Sequence, residues 1–93
     1  FPAMARDVAF LLPREVAAQL AGRVIEEAAG DEAESVTLFD AFEGKPLPAG
    51  MRNLAYSLLF RRADRTLTDE EVEAAMGRVR VALREKLGAQ IRE

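Results

Sequence analysis

An acidic and an aromatic side chain stand two positions apart in the segment ESVTLFDAFEG. These are Asp40 and Phe42, and residues two apart on a β-strand share one face of the sheet. A carboxylate can accept hydrogen bonds from the N1–H and amino groups of guanine, and a bare ring can stack on the base. Proteins recognise unpaired bases of single-stranded RNA in this way. The pair is therefore a candidate site for one unstacked base.

The same pair has a purely structural interpretation. Phe42 could pack under the loop EGKPLPAG that follows it, and Asp40 could cap that loop or pair with a nearby arginine. On pattern alone the structural interpretation is the more common outcome, because a single sequence reports binding sites poorly. Both interpretations stay open at this level.

The face that Asp40 and Phe42 occupy depends on a break in the hydrophobic pattern. Apolar and polar residues alternate up to Leu38, which is followed directly by Phe39. Unbroken alternation would bury the Asp40 carboxylate, which is costly without a partner. One extra residue at this point, a β-bulge, would turn Phe39 and Ala41 toward the core. Asp40 and Phe42 would then face away from it.

Periodicity along the chain predicts four strands and two helices. Apolar residues alternate in the strand candidates and recur every three to four positions in the helix candidates. The predicted elements are strand 6–13, helix 14–29, strand 34–42, strand 52–60, helix 69–87 and strand 89–93. This βαββαβ order predicts an α+β, ferredoxin-like sandwich. Its four-stranded antiparallel sheet has the order 4-1-3-2, with both helices on one face.

The helices carry more specific signals. For the first helix, the predicted apolar stripe is Val16, Leu20, Val24 and Ala28, flanked by Ala17, Ala21 and Ile25. The second helix is predicted to begin after Thr68, because Glu71 three positions on completes a capping box. Gly88 is predicted to end it.

The sheet face away from the helices is predicted to be bare. Small residues at its centre would leave a shallow depression beside Asp40 and Phe42. The candidate RNA-binding residues are Ala9, Asp40, Phe42, Arg52, Asn53, Ser57 and Arg61. Arg52 and Arg61 stand at the two ends of the third strand, where they could touch phosphates. A solvated rim is the more ordinary role of a single surface arginine.

The composition limits the chemistry. The 93 residues include no Cys and no His, so nucleophilic triads and His or Cys metal sites lack their residues. The net charge of −3 argues against general affinity for phosphates and leaves local, shape-driven RNA contact. No apolar run is long enough to cross a membrane. We expect a cytoplasmic protein and one domain, residues 1–93, belonging to a longer chain because it begins at Phe1.

Four segments together resemble one family. FPAMARDVAF, ESVTLFDAFEG, LPAGMRNLAYSLLF and DRTLTDEEVEAAM resemble, in order and spacing, the ferredoxin-fold anticodon-binding domain. This domain closes the beta subunit of bacterial phenylalanyl-tRNA synthetase. The resemblance runs from Phe1 to Arg92. It implies a recognition module that binds the anticodon of tRNA(Phe) on the open face of its sheet.

The resemblance also implies a role for individual residues. By position, the ring that stacks on the first anticodon base, a guanine, falls on Phe42, and the acidic residue falls on Asp40. The small residue of the first strand falls on Ala9, and the polar residue opening the third strand on Asn53. The family more often has Tyr in place of Phe42 and Ser in place of Asn53. Stacking survives the first difference, and the second keeps a polar group.

Other partners implied by the resemblance lie outside this chain. In the family, ATP, magnesium and phenylalanine bind at the alpha subunit of phenylalanine–tRNA ligase. No catalytic residue and no cofactor is therefore expected in this fragment. The expected partners are the tRNA(Phe) anticodon loop, the alpha subunit and the rest of the beta subunit, in an assembly of two alpha and two beta subunits.

Three other classes share the βαββαβ order. A small-molecule-sensing module of the ACT type usually has a Gly-containing turn after the first strand, where this chain has Pro13-Arg14-Glu15. An acylphosphatase-like hydrolase needs a Gly-rich anion cradle there, beside an Asn such as Asn53. A protein-interaction module would use the open sheet itself. Only the interpretation as an anticodon-binding domain accounts for Asp40 and Phe42 together with the family-like segments.

Overall fold

The computed structural model describes residues 1–92 and contains the predicted set of elements. The bounds are β1 Met4–Pro13, α1 Ala18–Ala29, β2 Ala33–Glu43, β3 Met51–Phe60, α2 Asp69–Leu87 and β4 Gln90–Arg92. Of the last predicted strand, residues 90–92 form β4, and Glu93 lies outside the described residues.

The four strands form one antiparallel sheet in the order β2-β3-β1-β4. This is the predicted order 4-1-3-2 counted from the other edge. β1 and β3 are the central pair and run side by side from Met4 opposite Phe60 to Pro13 opposite Met51. The short β4 lies along Ala9–Leu11 of β1. The predicted ferredoxin-like α+β fold is confirmed.

The core lies between the helices and one face of this sheet. The core-facing residues of the two central strands are Val8, Phe10, Leu12, Leu54, Tyr56, Leu58 and Phe60, none of them more than 4% exposed. They occupy alternate positions, as the period of two requires. The residues between them therefore lie on the opposite side, the open face, which the helices do not cover.

α2 begins with the predicted capping box. The Thr68 hydroxyl accepts from the Glu71 N–H at 3.2 Å, and the Glu71 carboxylate accepts from the Thr68 N–H at 3.0 Å. The Arg65 guanidinium donates to both oxygens of the same carboxylate. Gly88 ends the helix at φ 66°, in the left-handed conformation that glycine favours.

The Arg65–Glu71 pair makes this helix start sensitive to acid. The Arg65 hydrogen bonds, followed by the Thr68 N–H, lower the pKa of Glu71 from 4.5 to about 2. The unfolded chain, with a glutamate pKa of about 4.3, therefore takes up a proton more readily than the folded chain. The stabilisation that the Arg65–Glu71 pair contributes is complete above the unfolded pKa of Glu71. It is lost as the pH falls toward the folded pKa. We expect the free energy of unfolding to decrease over that range.

A Glu71→Gln variant tests this expectation by urea unfolding. Its amide oxygen can still accept from the cap but does not titrate, so the variant should lose less stability than the wild type between about pH 5 and pH 2. An Arg65→Gln variant keeps the titrating carboxylate without its main partner and should fall between the two. Equal acid dependence in wild type and Glu71→Gln would contradict the assignment.

α1 starts later than predicted, and its buried side is centred on one flank of the predicted stripe. It begins at Ala18, because the chain first makes a turn in which the Val16 N–H donates to the Pro13 carbonyl at 3.0 Å. Leu20, predicted to face the core, is 40% exposed. The helix residues that are buried are Ala21, Val24, Ile25 and Ala29.

Tyr56 explains the orientation of α1. Its hydroxyl donates to the Ala18 carbonyl at 2.5 Å, and burial raises its pKa, so that it remains a donor. A Cβ added at Gly22 would lie 3.3 Å from the same hydroxyl oxygen. The missing side chain at Gly22 thus lets the helix approach the ring closely. This contact holds the Gly22 side against the sheet and leaves Leu20 exposed.

Candidate nucleic-acid interface

The predicted bulge in β2 is present. The register between β2 and β3 shifts between Leu38 and Asp40, so that Asp40 lies opposite Ala55 and Phe42 opposite Asn53. Directly paired residues share a face, and Asn53 lies on the open face. Asp40 and Phe42 therefore lie there as predicted.

The prediction that the bulge turns Phe39 and Ala41 into the core is wrong, because both residues are exposed. Phe39 is 55% exposed. β2 is an edge strand of the sheet, and most of its residues from Leu38 onward are exposed. The core therefore does not extend under this end of β2. A side chain that points away from the open face here stays in contact with solvent.

Strand register arranges the candidate residues in two rows across the sheet. The first row is Asp40, Ala55, Ala9 and Arg92, one residue from each strand. The second row is Phe42, Asn53, Leu11 and Gln90. In the first row two alanines separate a carboxylate from a guanidinium. Three strand spacings put the Cα atoms of its two ends about 14 Å apart.

These rows form the floor of a shallow cavity, which we call the open-face hollow. It is lined by Ala9, Asp40, Phe42, Pro46, Leu47, Asn53 and Arg92. Its volume of about 340 Å³ is at the lower end of the range for small-ligand sites. Pro46 and Leu47 come from the loop 44–50, which therefore bends over one end of the open face.

The Asp40 carboxylate and the Phe42 ring are both available to a ligand. Within the described residues 1–92, the Asp40 side chain makes no ion pair and no hydrogen bond. Phe42 is 44% exposed. The Asp40 side chain thus does not cap the loop or pair with an arginine, and the loop leaves a large part of the Phe42 ring uncovered. The structure disagrees with the structural interpretation of Asp40, and for Phe42 it shows a ring beside Pro46 and Leu47 that keeps 44% of its surface exposed.

Asn53 contributes an unsatisfied polar atom. Its side-chain oxygen is buried and has no hydrogen-bond partner among the described residues. A buried acceptor without a partner is costly, and such groups are usually satisfied by water or by a bound ligand. Asn53 lines the open-face hollow beside Asp40, but this oxygen is covered by other protein atoms, so a base can reach it only if the side chain turns.

The other predicted residues lie elsewhere. Ser57 is on the open face, opposite Asp7, but four residues along β3 from Asn53, or about 13 Å. Arg61 is about 26 Å along the chain from Asn53 and is held by Glu34 at 3.3 Å and by the Phe1 carbonyl at 3.1 Å. Neither residue lines the open-face hollow.

Arg52 points away from the open face. It alternates with Asn53 and shares the helix side with Leu54, and its guanidinium donates to the Val16 carbonyl at 2.5 Å. This contact ties β3 to the turn that precedes α1. The placement corrects the prediction for Arg52, whose side chain serves that turn rather than the open face.

Three lining residues escaped the sequence prediction. Arg92 had a partial signal, since alternation in the last strand places it outward, but only the observed register with β1 brings it beside Ala9. Pro46 and Leu47 had none. They lie in an irregular loop, where no periodicity reports the direction of the chain.

The described residues offer no obvious place for a metal ion. Among residues 1–92, no group of three or more Asp, Glu, His or Cys side chains converges as a metal site requires. No residue here is therefore assigned to hold magnesium. Neither of the described helices is long and apolar enough to cross a membrane.

A family profile described as the ferredoxin-fold anticodon binding domain matches residues 1–92. The chain is 47% identical over 93 residues to a protein of Moorella thermoacetica, covering 100% of this chain and 12% of that protein. It is 49% identical over 92 residues to one of Symbiobacterium thermophilum, covering 99% and 10%. It is 47% identical over 92 residues to one of Streptococcus pyogenes serotype M1, covering 99% and 12%.

All three relatives are named phenylalanine–tRNA ligase beta subunit. The chain spans only about a tenth of their length, so their similarity concerns one part of each protein. The profile match separates this chain from the ACT-type and acylphosphatase-like classes that share its strand order. With a profile match over residues 1–92 and relatives at almost half identity, this chain belongs to the family of ferredoxin-fold anticodon-binding domains, as found in phenylalanine–tRNA ligase beta subunits.

Proposed function

We propose that this domain binds the anticodon loop of tRNA(Phe) and reads its first base, a guanine, in the open-face hollow. Phe42 stacks on the base. The Asp40 carboxylate accepts hydrogen bonds from its N1–H and amino groups. The observation that carries the proposal is an unpaired carboxylate and an exposed ring that share one hollow, in a chain of this family.

The floor of the hollow suits a flat ligand. Ala9 and Ala55 stand between the charged ends of the first row, so no long side chain rises at its centre. Asn53 lines the same hollow, and its buried side-chain oxygen has no hydrogen-bond partner among the described residues. Guanine presents two adjacent donors on its Watson–Crick edge, whereas adenine presents one donor and one acceptor. A carboxylate accepts from both guanine donors, and it repels the acceptor of adenine.

In this proposal the chain is one domain, residues 1–93, of the beta subunit of an assembly of two alpha and two beta subunits. The assembly joins phenylalanine to tRNA(Phe) with ATP and magnesium, which bind at the alpha subunit. This domain supplies recognition and no catalytic residue. A cytoplasmic location remains a prediction from the family.

Substitution of Asp40 tests base reading. In an NMR titration with the tRNA(Phe) anticodon stem-loop, we expect shifts at Ala9, Asp40, Phe42 and Asn53. A stem-loop with adenine in place of the first guanine should bind less well. Asp40→Asn should remove most of this preference, worth about 1–3 kcal/mol or roughly 5- to 150-fold.

Glu43→Gln is the matched control, since it removes one carboxylate three residues away on the same strand. Glu43 does not line the open-face hollow, so the preference for guanine should be retained. Shifts that do not depend on the base would leave only backbone contact. No shifts at millimolar RNA would overturn the proposal for this domain.

A further inference from the structure

Most basic side chains of this acidic chain are already engaged by protein groups. Those that pair with carboxylates or donate to backbone carbonyls include Arg6, Arg52, Arg61, Arg62, Arg65, Arg78, Arg80 and Lys86. Within residues 1–92, the cations with no ion pair and no side-chain hydrogen bond are Arg14, Arg23, Lys45, Arg84 and Arg92. All five are exposed.

These unpaired cations are not spread evenly over the surface. Arg23 lies on α1 and Arg84 on α2, on the helix side of the sheet. The other three lie around the loop 44–50. Arg92 lines the open-face hollow. Arg14 and Lys45 line a second cavity of about 560 Å³, which we call the loop hollow.

The two hollows adjoin each other. Leu47 lines both of them, so that the loop forms a low ridge between the two. Lys45 is three residues from Phe42, which is no more than about 11 Å of chain. The Arg14 N–H donates to the Gly50 carbonyl at 2.9 Å, which holds the turn after β1 against the far end of the loop.

The charges suit a chain of phosphates. Arg92 stands at the opposite end of its row from Asp40, and no ion pair joins the two side chains. In the loop hollow, Glu43 is the single carboxylate against two cations. A nucleotide whose base occupies the open-face hollow has a phosphate on each side of it. The open-face hollow has Arg92 of β4 at one end and the ridge formed by the loop 44–50 at the other.

We propose that the RNA strand crosses the loop 44–50, with its phosphates held by Arg92 on one side and by Arg14 and Lys45 on the other. This proposal rests on the proposed function, since it needs a base in the open-face hollow. It adds a phosphate track that the base-reading residues do not contain. The track also gives an acidic domain a local site for a polyanion.

The salt dependence of binding tests the track. Each phosphate contact to a single strand contributes about 0.7 to the slope of log affinity against log salt. A double variant Arg14→Gln/Lys45→Gln should therefore lower the slope by about 1.4, and Arg92→Gln by about 0.7. Between 50 and 200 mM salt, wild-type affinity for the anticodon stem-loop should fall about 7-fold more than that of the double variant.

The control is the double variant Arg23→Gln/Arg84→Gln, which removes the same charge from unpaired cations on the helices. Its slope should equal that of the wild type. The track would be overturned if Arg14→Gln/Lys45→Gln and Arg92→Gln both kept the wild-type slope. If the guanine preference were intact in that case, the proposed function would stand. Reduced slopes without any guanine preference would support the track and overturn base reading. No binding at all would overturn both.

Discussion

Replacing Phe42 with Ala should lower the affinity for the anticodon stem-loop by about 1–3 kcal/mol, or roughly 5- to 150-fold. The ring is 44% exposed and lines the hollow beside Asp40, so its loss removes the stacking surface without opening a cavity in the core. The free energy of unfolding should therefore change little. Fluorescence anisotropy with labelled RNA measures the first quantity, and urea unfolding measures the second.

Phe39→Ala is the matched control. Phe39 is also an exposed phenylalanine of β2, three residues away, but it does not line the open-face hollow. Its replacement should leave the affinity unchanged. Phe42→Tyr should also keep the affinity, because the ring remains. Equal losses for Phe39→Ala and Phe42→Ala would point to a general effect of the edge strand rather than to stacking on one base.

Replacing Phe10 with Ala should lower the free energy of unfolding by about 3–5 kcal/mol. Phe10 is 0% exposed at the centre of β1, and its ring stacks on Tyr56 with centroids 6.0 Å apart. A domain of this size has about 5–15 kcal/mol in all. The loss should lower the melting temperature by roughly 12–40 °C. Thermal unfolding followed by circular dichroism checks it.

Leu20→Ala is the informative comparison. The helical stripe in the sequence predicts that Leu20 faces the core, whereas the structure leaves it 40% exposed. With the orientation that Tyr56 imposes on α1, the substitution should change stability by no more than about 0.5 kcal/mol. A cost close to that of Phe10→Ala would mean that α1 turns its Leu20 side to the sheet.

Among the site residues, the sequence best predicts the position of Asp40 and Phe42 on the open face. Their placement needs only the period of two and the cost of burying an unpaired carboxylate, both of which act within one strand. Local rules also predict the capping box at Thr68 and Glu71. Strand order follows from the βαββαβ sequence and the handedness of its crossovers. Apart from the strand order, each of these inferences depends on near neighbours along the chain.

Arg52 and Arg92 illustrate what such rules miss. Arg52 looked like a phosphate contact but donates to the Val16 carbonyl, 36 residues away. Arg92 looked like an ordinary outward residue, yet pairing of β4 with β1 brings it beside Ala9 in the hollow. Spacing alone distinguishes neither case, because both depend on which element packs against which.

The amino-acid sequence by itself thus determined the elements, their order, the bulge and the face that carries Asp40 and Phe42. Tertiary structure alone decided the orientation of α1, the partners of the arginines, the burial of the Asn53 oxygen and the bend of the loop over the hollow. The physical reason is the distance along the chain over which each kind of interaction acts. Periodicity reports which residues share one face of an element, whereas side-chain partners and loop direction are set by contacts between residues that are distant in sequence.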